Sequence, residues 1–123
     1  MNAAREKVEL EGVCRSCGDR NTGHLDAAHL WPRSMGGRGF EDPARVIPLC
    51  SLIKGGAGCH DDFDSHRLDV LDLLTLEEQV ALVRDAHGIE RARVRCLPSE
   101  YRERRAGRLR PIPGSPAHDP FAA

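Results

Sequence analysis

Apolar and polar positions alternate in one short segment, and a second segment is almost wholly apolar. Together they predict a pair of β-strands. In residues 25–31 the alternation places Asp26 and Ala28 on one face of a strand and His29 on the other. Residues 45–49 contain the apolar run of a second strand. A glycine-rich stretch separates the two segments and predicts a loop between the strands.

A helical pattern follows the second strand. Residues 59–67 predict a short helix, in which His60 and Asp64 lie four positions apart and therefore face the same way. Together with the two strands and their loop, this helix would complete a ββα unit that carries a histidine.

A longer helix is predicted further along the chain. Thr75 and Glu78 have the spacing of a capping box, so we expect a helix from here to about His87, with Gly88 as its C-terminal cap. Three apolar residues are expected to share one face of this helix: Leu76, Val80 and Val83.

These elements predict an α+β fold in four parts. Residues 1–12 are polar and are expected to form an N-terminal arm, and residues 13–75 form the ββα core. Residues 76–110 are expected to be a helical, arginine-rich extension, in which residues 89–97 are a helix or, alternatively, a strand. Residues 111–123 are rich in proline and are expected to be a disordered tail.

The composition favours a metal as part of the structure. Only five of the 123 residues are aromatic, and a small core with so few large side chains commonly needs a staple such as a metal ion. No apolar stretch resembles a signal peptide, and none is long enough to span a membrane. We therefore expect a reducing compartment, where the five cysteines act as metal ligands or thiols rather than in disulfides.

The charge is unevenly distributed along the chain, although the net charge is only −1. Residues 1–83 contain 9 Lys and Arg against 14 Asp and Glu, whereas residues 84–110 contain 9 Arg against 4 acidic residues. A basic segment beside an acidic body is consistent with phosphate contact, and equally with a solvated helix face that carries arginine and glutamate.

Four of the cysteines have a spacing typical of a structural zinc site. Cys14 and Cys17 form a C-x-x-C pair that can bind one metal from a tight turn, and Cys50 and Cys59 would complete a four-cysteine site. The alternative is that Cys50 or Cys59 is only a small buried residue. Cys96 is left over and is expected to be a buried thiol.

Three short sequences between Cys14 and Asp64 resemble the HNH endonucleases, in particular the small type of phages and bacteria that is held together by a zinc ion. They are DAAHLWPRSMGG from Asp26, EDPARVIPLC from Glu41 and CHDDFD from Cys59. The resemblance covers roughly residues 13–75, and the strings agree in order as well as in type. It implies a ββα-metal core, also called a His-Me finger.

The resemblance also implies an activity, the hydrolysis of DNA phosphodiester bonds with one divalent metal. His29 matches the general base, a role for which a side chain that titrates near neutral pH is suited. His60 matches a metal ligand, and Asp64 lies where some members place a further ligand. Asp26 is the expected carboxylate ligand, and the set suits Mg²⁺, Mn²⁺ or Zn²⁺.

Two positions depart from the family pattern. Many members have Asp or His where this chain has Ala28, and the Asn of the motif name is replaced by Arg45, which has no lone pair to offer a metal. Three basic residues are candidate DNA contacts, with loop capping or solvation as the alternative for the first and last: Arg33, Arg45 and Lys54.

These departures leave a second hypothesis from another class. The chain would be a zinc-stapled DNA-binding or adaptor module with weak or no catalysis. The family resemblance also suggests a further role, in which the chain is an auxiliary factor that works with a terminase in phage DNA packaging. In each case we expect DNA as the partner and the cytoplasm of a bacterial or phage-infected cell as the location.

Overall fold

The computed structural model describes residues 2–20, 22–32, 42–51 and 58–107. In these ranges the chain is a small mixed α+β protein. Its helices and strands follow one another in this order: α1 Ala3–Glu11, β1 Leu25–His29, β2 Val46–Cys50, α2 Cys59–Asp64, α3 Leu76–Ala86, α4 Ile89–Cys96 and α5 Pro98–Arg105. The predicted order of two strands, a short helix and further helices is confirmed. The tail 111–123 lies outside the described residues.

The two strands pair antiparallel, with Asp26 opposite Leu49 and His29 opposite Val46. All five side chains of β2 are buried, whereas β1 is only partly covered. An apolar run that is buried on both faces explains why β2 lacks the alternation seen in β1. The polar side chains of this sheet therefore come from β1.

The N-terminal segment is a helix and not the expected arm. The side chain of Asn2 caps the first turn by accepting a hydrogen bond from the backbone of Arg5 at 2.8 Å. Gly12 ends the helix in the left-handed conformation, with φ 64°. The helix packs on the sheet, where Val8 is fully buried and the Arg5 guanidinium donates to the Leu25 carbonyl at 2.6 Å.

Helix α3 confirms the capping box, but of the three residues of its predicted apolar face Val83 alone packs against the core. The Thr75 hydroxyl accepts from the backbone of Glu78, and the Glu78 carboxylate accepts from the backbone of Thr75. Leu76 and Val80 are 75% and 48% exposed. The buried side of the helix is formed by three other residues: Glu78, Leu82 and Ala86.

Helices α3 and α4 share one apolar core with the strands. Of the two alternatives for residues 89–97, the structure shows the helix, because α4 runs from Ile89 to Cys96. The core cluster includes residues from all these elements: Val8, Leu25, Ala28, Ile47, Leu49, Phe63, Leu82, Ala92 and Cys96. No helix within the described ranges is long and apolar enough to cross a membrane.

Candidate metal centres

Four cysteines from three parts of the chain meet in one cluster, in which their Sγ atoms all lie within 4.8 Å of one another. They are the predicted set: Cys14, Cys17, Cys50 and Cys59. The Sγ atoms of Cys17 and Cys50 are 3.7 Å apart. A tetrahedral zinc with Zn–S bonds of about 2.3 Å would separate its sulfurs by about 3.8 Å. The cluster could therefore hold a structural metal such as zinc.

A tight turn and two element ends position these thiols. The turn after α1 is closed by the Gly18 N–H, which donates to the Cys14 carbonyl at 3.0 Å, with Gly18 at φ 81°. Cys50 is the last residue of β2, and Cys59 is the first residue of α2. Gly58 lies so close to the end of β2 that an added Cβ would collide with the carbonyl oxygens of Cys50 and Ser51. Position 58 therefore requires glycine.

Backbone N–H groups point at the sulfurs, as is common around metal-bound thiolates. The N–H of Cys59 donates to the Cys50 Sγ at 3.2 Å, and that of Cys17 to the Cys14 Sγ at 3.5 Å. Burial opposes ionisation of Cys14, but hydrogen bonds from the backbone outweigh it and lower the pKa of this thiol to about 7. Burial raises the pKa of Cys50 and of Cys59. A divalent cation would remove this penalty, because it stabilises all four thiolates at once.

A second polar cluster joins β1 to α2. The Oδ2 atom of Asp26 lies 2.8 Å from Nδ1 of His60, and Nε2 of His60 lies 3.2 Å from Oδ2 of Asp64. His60 and Asp64 do lie on one face of the helix, as the spacing predicted. Because His60 presents a different ring nitrogen to each carboxylate, the three side chains do not surround a single point.

The two carboxylates stabilise the charged form of the histidine. Asp64 makes the largest contribution, burial opposes it, and Asp26 adds to it, so that the pKa of His60 is raised to about 8. The histidine in turn lowers the pKa of Asp64, with a further contribution from Arg95. A divalent cation bound here would take the place of a proton on His60.

A buried arginine binds the Asp64 carboxylate of this cluster. It was not among the site residues predicted from the sequence. Arg95 of α4 is 2% exposed, and its guanidinium donates to Oδ1 of Asp64 at 3.0 Å. It also donates to three backbone carbonyls, at the end of β1 and on α2: those of His29, Leu30 and Phe63. The guanidinium lies 3.8 Å from the centre of the Phe63 ring. Arg95 therefore fixes the end of β1 relative to α2.

The signal for this residue was present in the helical spacing. Ala92, Arg95 and Cys96 are separated by three and four positions, so they share one face of α4, and all three are buried. The charge pattern of the arginine-rich segment predicts only a phosphate contact or a solvated face. A buried guanidinium needs acceptors from distant parts of the chain, and spacing alone does not reveal them.

Of the remaining predicted site residues, two are described by the structure and two lie outside the described ranges. His29 is the last residue of β1 and is half-buried. Arg45 is the last residue of a single 3₁₀ turn, Pro43–Arg45, and pairs with Asp85 of α3, with a nitrogen–oxygen distance of 3.0 Å. The predicted DNA contacts Arg33 and Lys54 lie outside the described residues. The structure therefore brings Asp26, His60 and Asp64 together.

Neither the family models, nor the curated proteins, nor the solved structures gave a match to this chain.

Proposed function

We propose that this chain is a metal-dependent endonuclease of the HNH, or ββα-metal, type, which hydrolyses phosphodiester bonds in DNA. The observation that carries the proposal is the 2.8 Å contact between Oδ2 of Asp26 and Nδ1 of His60. The two residues are 34 positions apart, on a strand and a helix. The resemblance had assigned both of them to a divalent metal, and a shared site requires them to be this close.

The donor set fits such a metal. Carboxylate oxygens and an imidazole nitrogen suit Mg²⁺, Mn²⁺ or Zn²⁺. Because one imidazole cannot direct both ring nitrogens at the same ion, one of the two carboxylates would bind the ion and the other would orient the ring. Asp64 already holds Arg95 with one oxygen and His60 with the other. We therefore assign the ligand role to Asp26 and His60 and the orienting role to Asp64.

The chemistry divides between the ion and the protein. A divalent ion at this position would stabilise the charge on the scissile phosphate and on the leaving oxygen. His29 would accept the proton of the attacking water. The carbonyl of His29 accepts a hydrogen bond from the Arg95 guanidinium at 3.2 Å, so the backbone that carries this imidazole is anchored to the buried core.

The test is the cleavage of supercoiled plasmid by zinc-loaded protein in Mg²⁺ or Mn²⁺. We expect nicked or linear product with the wild type, and a loss of about 100-fold or more in Asp26→Asn. For Asp64→Asn we expect a loss of about 10- to 100-fold, part of which higher metal concentration restores. Asp61→Asn is the matched control, because Asp61 lies on the same helix with a 55% exposed side chain and, within the described ranges, its carboxylate pairs with Arg67 alone. Plasmid left uncut by the wild type in every metal would refute the proposal.

A second candidate function is a DNA-binding or adaptor module that retains the fold without the chemistry. Ala28 supports it, because a buried methyl group with no exposed surface stands where many family members carry a ligand. Arg45 supports it as well, because its guanidinium is engaged by Asp85. A gel shift that persists in His29→Ala, with no cleavage by either protein, would favour this module over the nuclease.

A further inference from the structure

A basic cavity of about 700 Å³ opens between the segment that follows α2 and helices α4 and α5. Its lining begins at Ser65, the residue after Asp64, and continues across α4 and α5 to Ala106. Four of the nine lining residues can carry positive charge: His66, Arg67, Arg102 and Arg105. No Asp or Glu is among these nine, and the volume lies within the range of about 300–1,000 Å³ that is usual for ligand clefts.

This lining differs from the surroundings of most other arginines in the described residues. Arg15 pairs with Glu78, Arg45 with Asp85, and Arg93 with Glu100. Such pairs neutralise the guanidinium within the protein, and the acidic partner is part of the same surface. A cavity that gathers several cations without an acidic wall attracts an external anion instead.

Two of the cavity arginines are held in place by neutral partners. Arg102 donates to the carbonyl oxygen of His66 at 2.6 Å. Arg105 lies over the Tyr101 ring at 5.9 Å from its centre and donates to the Tyr101 hydroxyl at 3.5 Å. A guanidinium has five N–H donors and keeps its charge in such contacts, so both side chains retain donors for a phosphate.

The third arginine, Arg67, is less suited to bind a phosphate. Arg67 lies 3.4 Å from carboxylate oxygens of both Asp61 and Asp62, and its side chain is 59% exposed. These two acids offset part of its charge. Arg102 and Arg105 are therefore the residues on which phosphate binding would depend most.

We propose that this cavity binds the phosphodiester backbone of a nucleic acid strand, with Arg102 and Arg105 as the phosphate contacts. The choice of nucleic acid over other phosphate compounds rests on the proposed nuclease function. Ser65 of the lining directly follows Asp64 in the chain, and we expect one strand to extend from this cavity to the candidate metal centre. Contacts to backbone phosphates carry no sequence information, and we therefore expect them to position the DNA rather than to select a sequence.

The test is the binding of a labelled duplex, measured by fluorescence anisotropy without added Mg²⁺ or Mn²⁺ so that cleavage does not contribute. We expect the double variant Arg102→Gln/Arg105→Gln to raise Kd about tenfold or more. The slope of log K against log salt should fall by about 2 in magnitude, because two phosphate contacts are lost. Arg84→Gln is the matched control, since Arg84 is exposed on α3 and outside the cavity.

The lysine double variant Arg102→Lys/Arg105→Lys guards against an effect of misfolding. It keeps both charges, and we expect its affinity to lie between that of the wild type and that of the glutamine variant, with the wild-type salt slope. Circular dichroism and zinc content should be unchanged in all variants. A Kd and a salt slope of the folded glutamine variant that both equal those of the wild type would overturn the proposal.

Two further binding experiments identify the kind of phosphate compound that the cavity binds. Inorganic phosphate and vesicles containing phosphatidylglycerol are offered in place of the duplex. Binding of either that depends on Arg102 and Arg105, while duplex binding does not, would overturn the assignment to nucleic acid. Weakened duplex binding in the glutamine variant supports the cavity even where the wild type cuts no plasmid. Unchanged binding beside normal cleavage refutes the cavity and leaves the nuclease proposal standing.

Discussion

Arg95 and Asp64 form an ion pair between a guanidinium that is 2% exposed and a carboxylate whose side chain is 55% exposed, with a nitrogen–oxygen distance of 3.0 Å. The pair connects the core to the surface at the point where β1 and α2 meet. The second carboxylate oxygen of Asp64 contacts His60. The orientation of the candidate ligand His60 thus depends on a residue of α4 that lies outside the three strings resembling the HNH endonucleases.

This relationship predicts the effect of Arg95→Met. The variant keeps a long side chain but removes the donors to Asp64 and to three backbone carbonyls. Unsatisfied buried carbonyls are costly, so we expect the free energy of unfolding to fall by about 2–4 kcal/mol in urea. Arg93→Met on the same helix is the control, and its loss should stay below about 1 kcal/mol, because the pair with Glu100 is partly solvated. Equal losses in both variants would contradict the supporting role of Arg95.

The cysteine cluster predicts one zinc per chain. We expect Cys17→Ala to lower the zinc content measured by mass spectrometry and to reduce thermal stability, because a closed four-cysteine site loses a ligand. Cys96→Ala is the matched control, since Cys96 is a buried thiol outside the cluster. It should keep its zinc and lose only the stability that a small cavity costs. A full complement of zinc in Cys17→Ala would show that the metal is not held as described.

Gly58→Ala tests the same cluster through the backbone. A methyl group at this position would collide with the carbonyl oxygens of Cys50 and Ser51. The end of β2 and the start of α2 would then have to separate, and both of these ends carry a proposed ligand. We expect weaker zinc retention against a chelator, whereas Gly107→Ala, which follows α5 and has open space around the added Cβ, should show only the strain of its left-handed backbone. Unchanged zinc retention in Gly58→Ala would count against this geometry.

Glu78 predicts how stability depends on acid pH. This carboxylate is 2% exposed and pairs with both Arg15 and Lys7. Burial raises its pKa, but the two cations outweigh burial and lower the pKa from 4.5 to about 2. A folded pKa below the unfolded value gives stability that is present above about pH 4.5 and is lost as the pH falls towards 2. The shift corresponds to about 3 kcal/mol.

The measurement is the free energy of unfolding against pH for Glu78→Gln and for its exposed neighbour variant Glu77→Gln. At pH 7 we expect Glu78→Gln to lose about 3 kcal/mol and Glu77→Gln to stay near the wild type. The difference between Glu78→Gln and the wild type should shrink as the pH falls through 4.5. Zinc release in acid affects all three proteins, so it cancels in this comparison. A difference that does not change with pH would contradict the assigned pKa shift.

Local patterns were sufficient for much of the fold and for the thiol cluster. The spacing of Cys14 and Cys17 on a turn, and the capping box of Thr75 and Glu78, are decided within a few residues, and both predictions are confirmed. The same holds for His60 and Asp64, which share a helix face by periodicity. Such features are visible in sequence because the interacting groups are close along the chain.

The errors arose where distant residues decide the outcome. Glu78 was expected to be only a capping residue, but Lys7 and Arg15 reach it from 71 and 63 positions away and allow it to be buried. Its burial turns α3 so that Leu76 faces solvent. The N-terminal helix has mostly polar residues, and only its packing on the sheet makes Val8 part of the core. No local pattern encodes these long-range pairings.

The most direct test of the central claim is plasmid cleavage by His29→Ala beside His24→Ala. Both histidines lie at or next to β1, but His24 precedes the strand and lies near Asp19, at 3.7 Å. With zinc-loaded protein and Mg²⁺ or Mn²⁺, we predict that His24→Ala cuts within about threefold of the wild type. We predict that His29→Ala, equally folded and equally rich in zinc, loses about 100-fold or more. Cleavage that persists unchanged in His29→Ala would contradict the proposed base and, with it, the proposed mechanism.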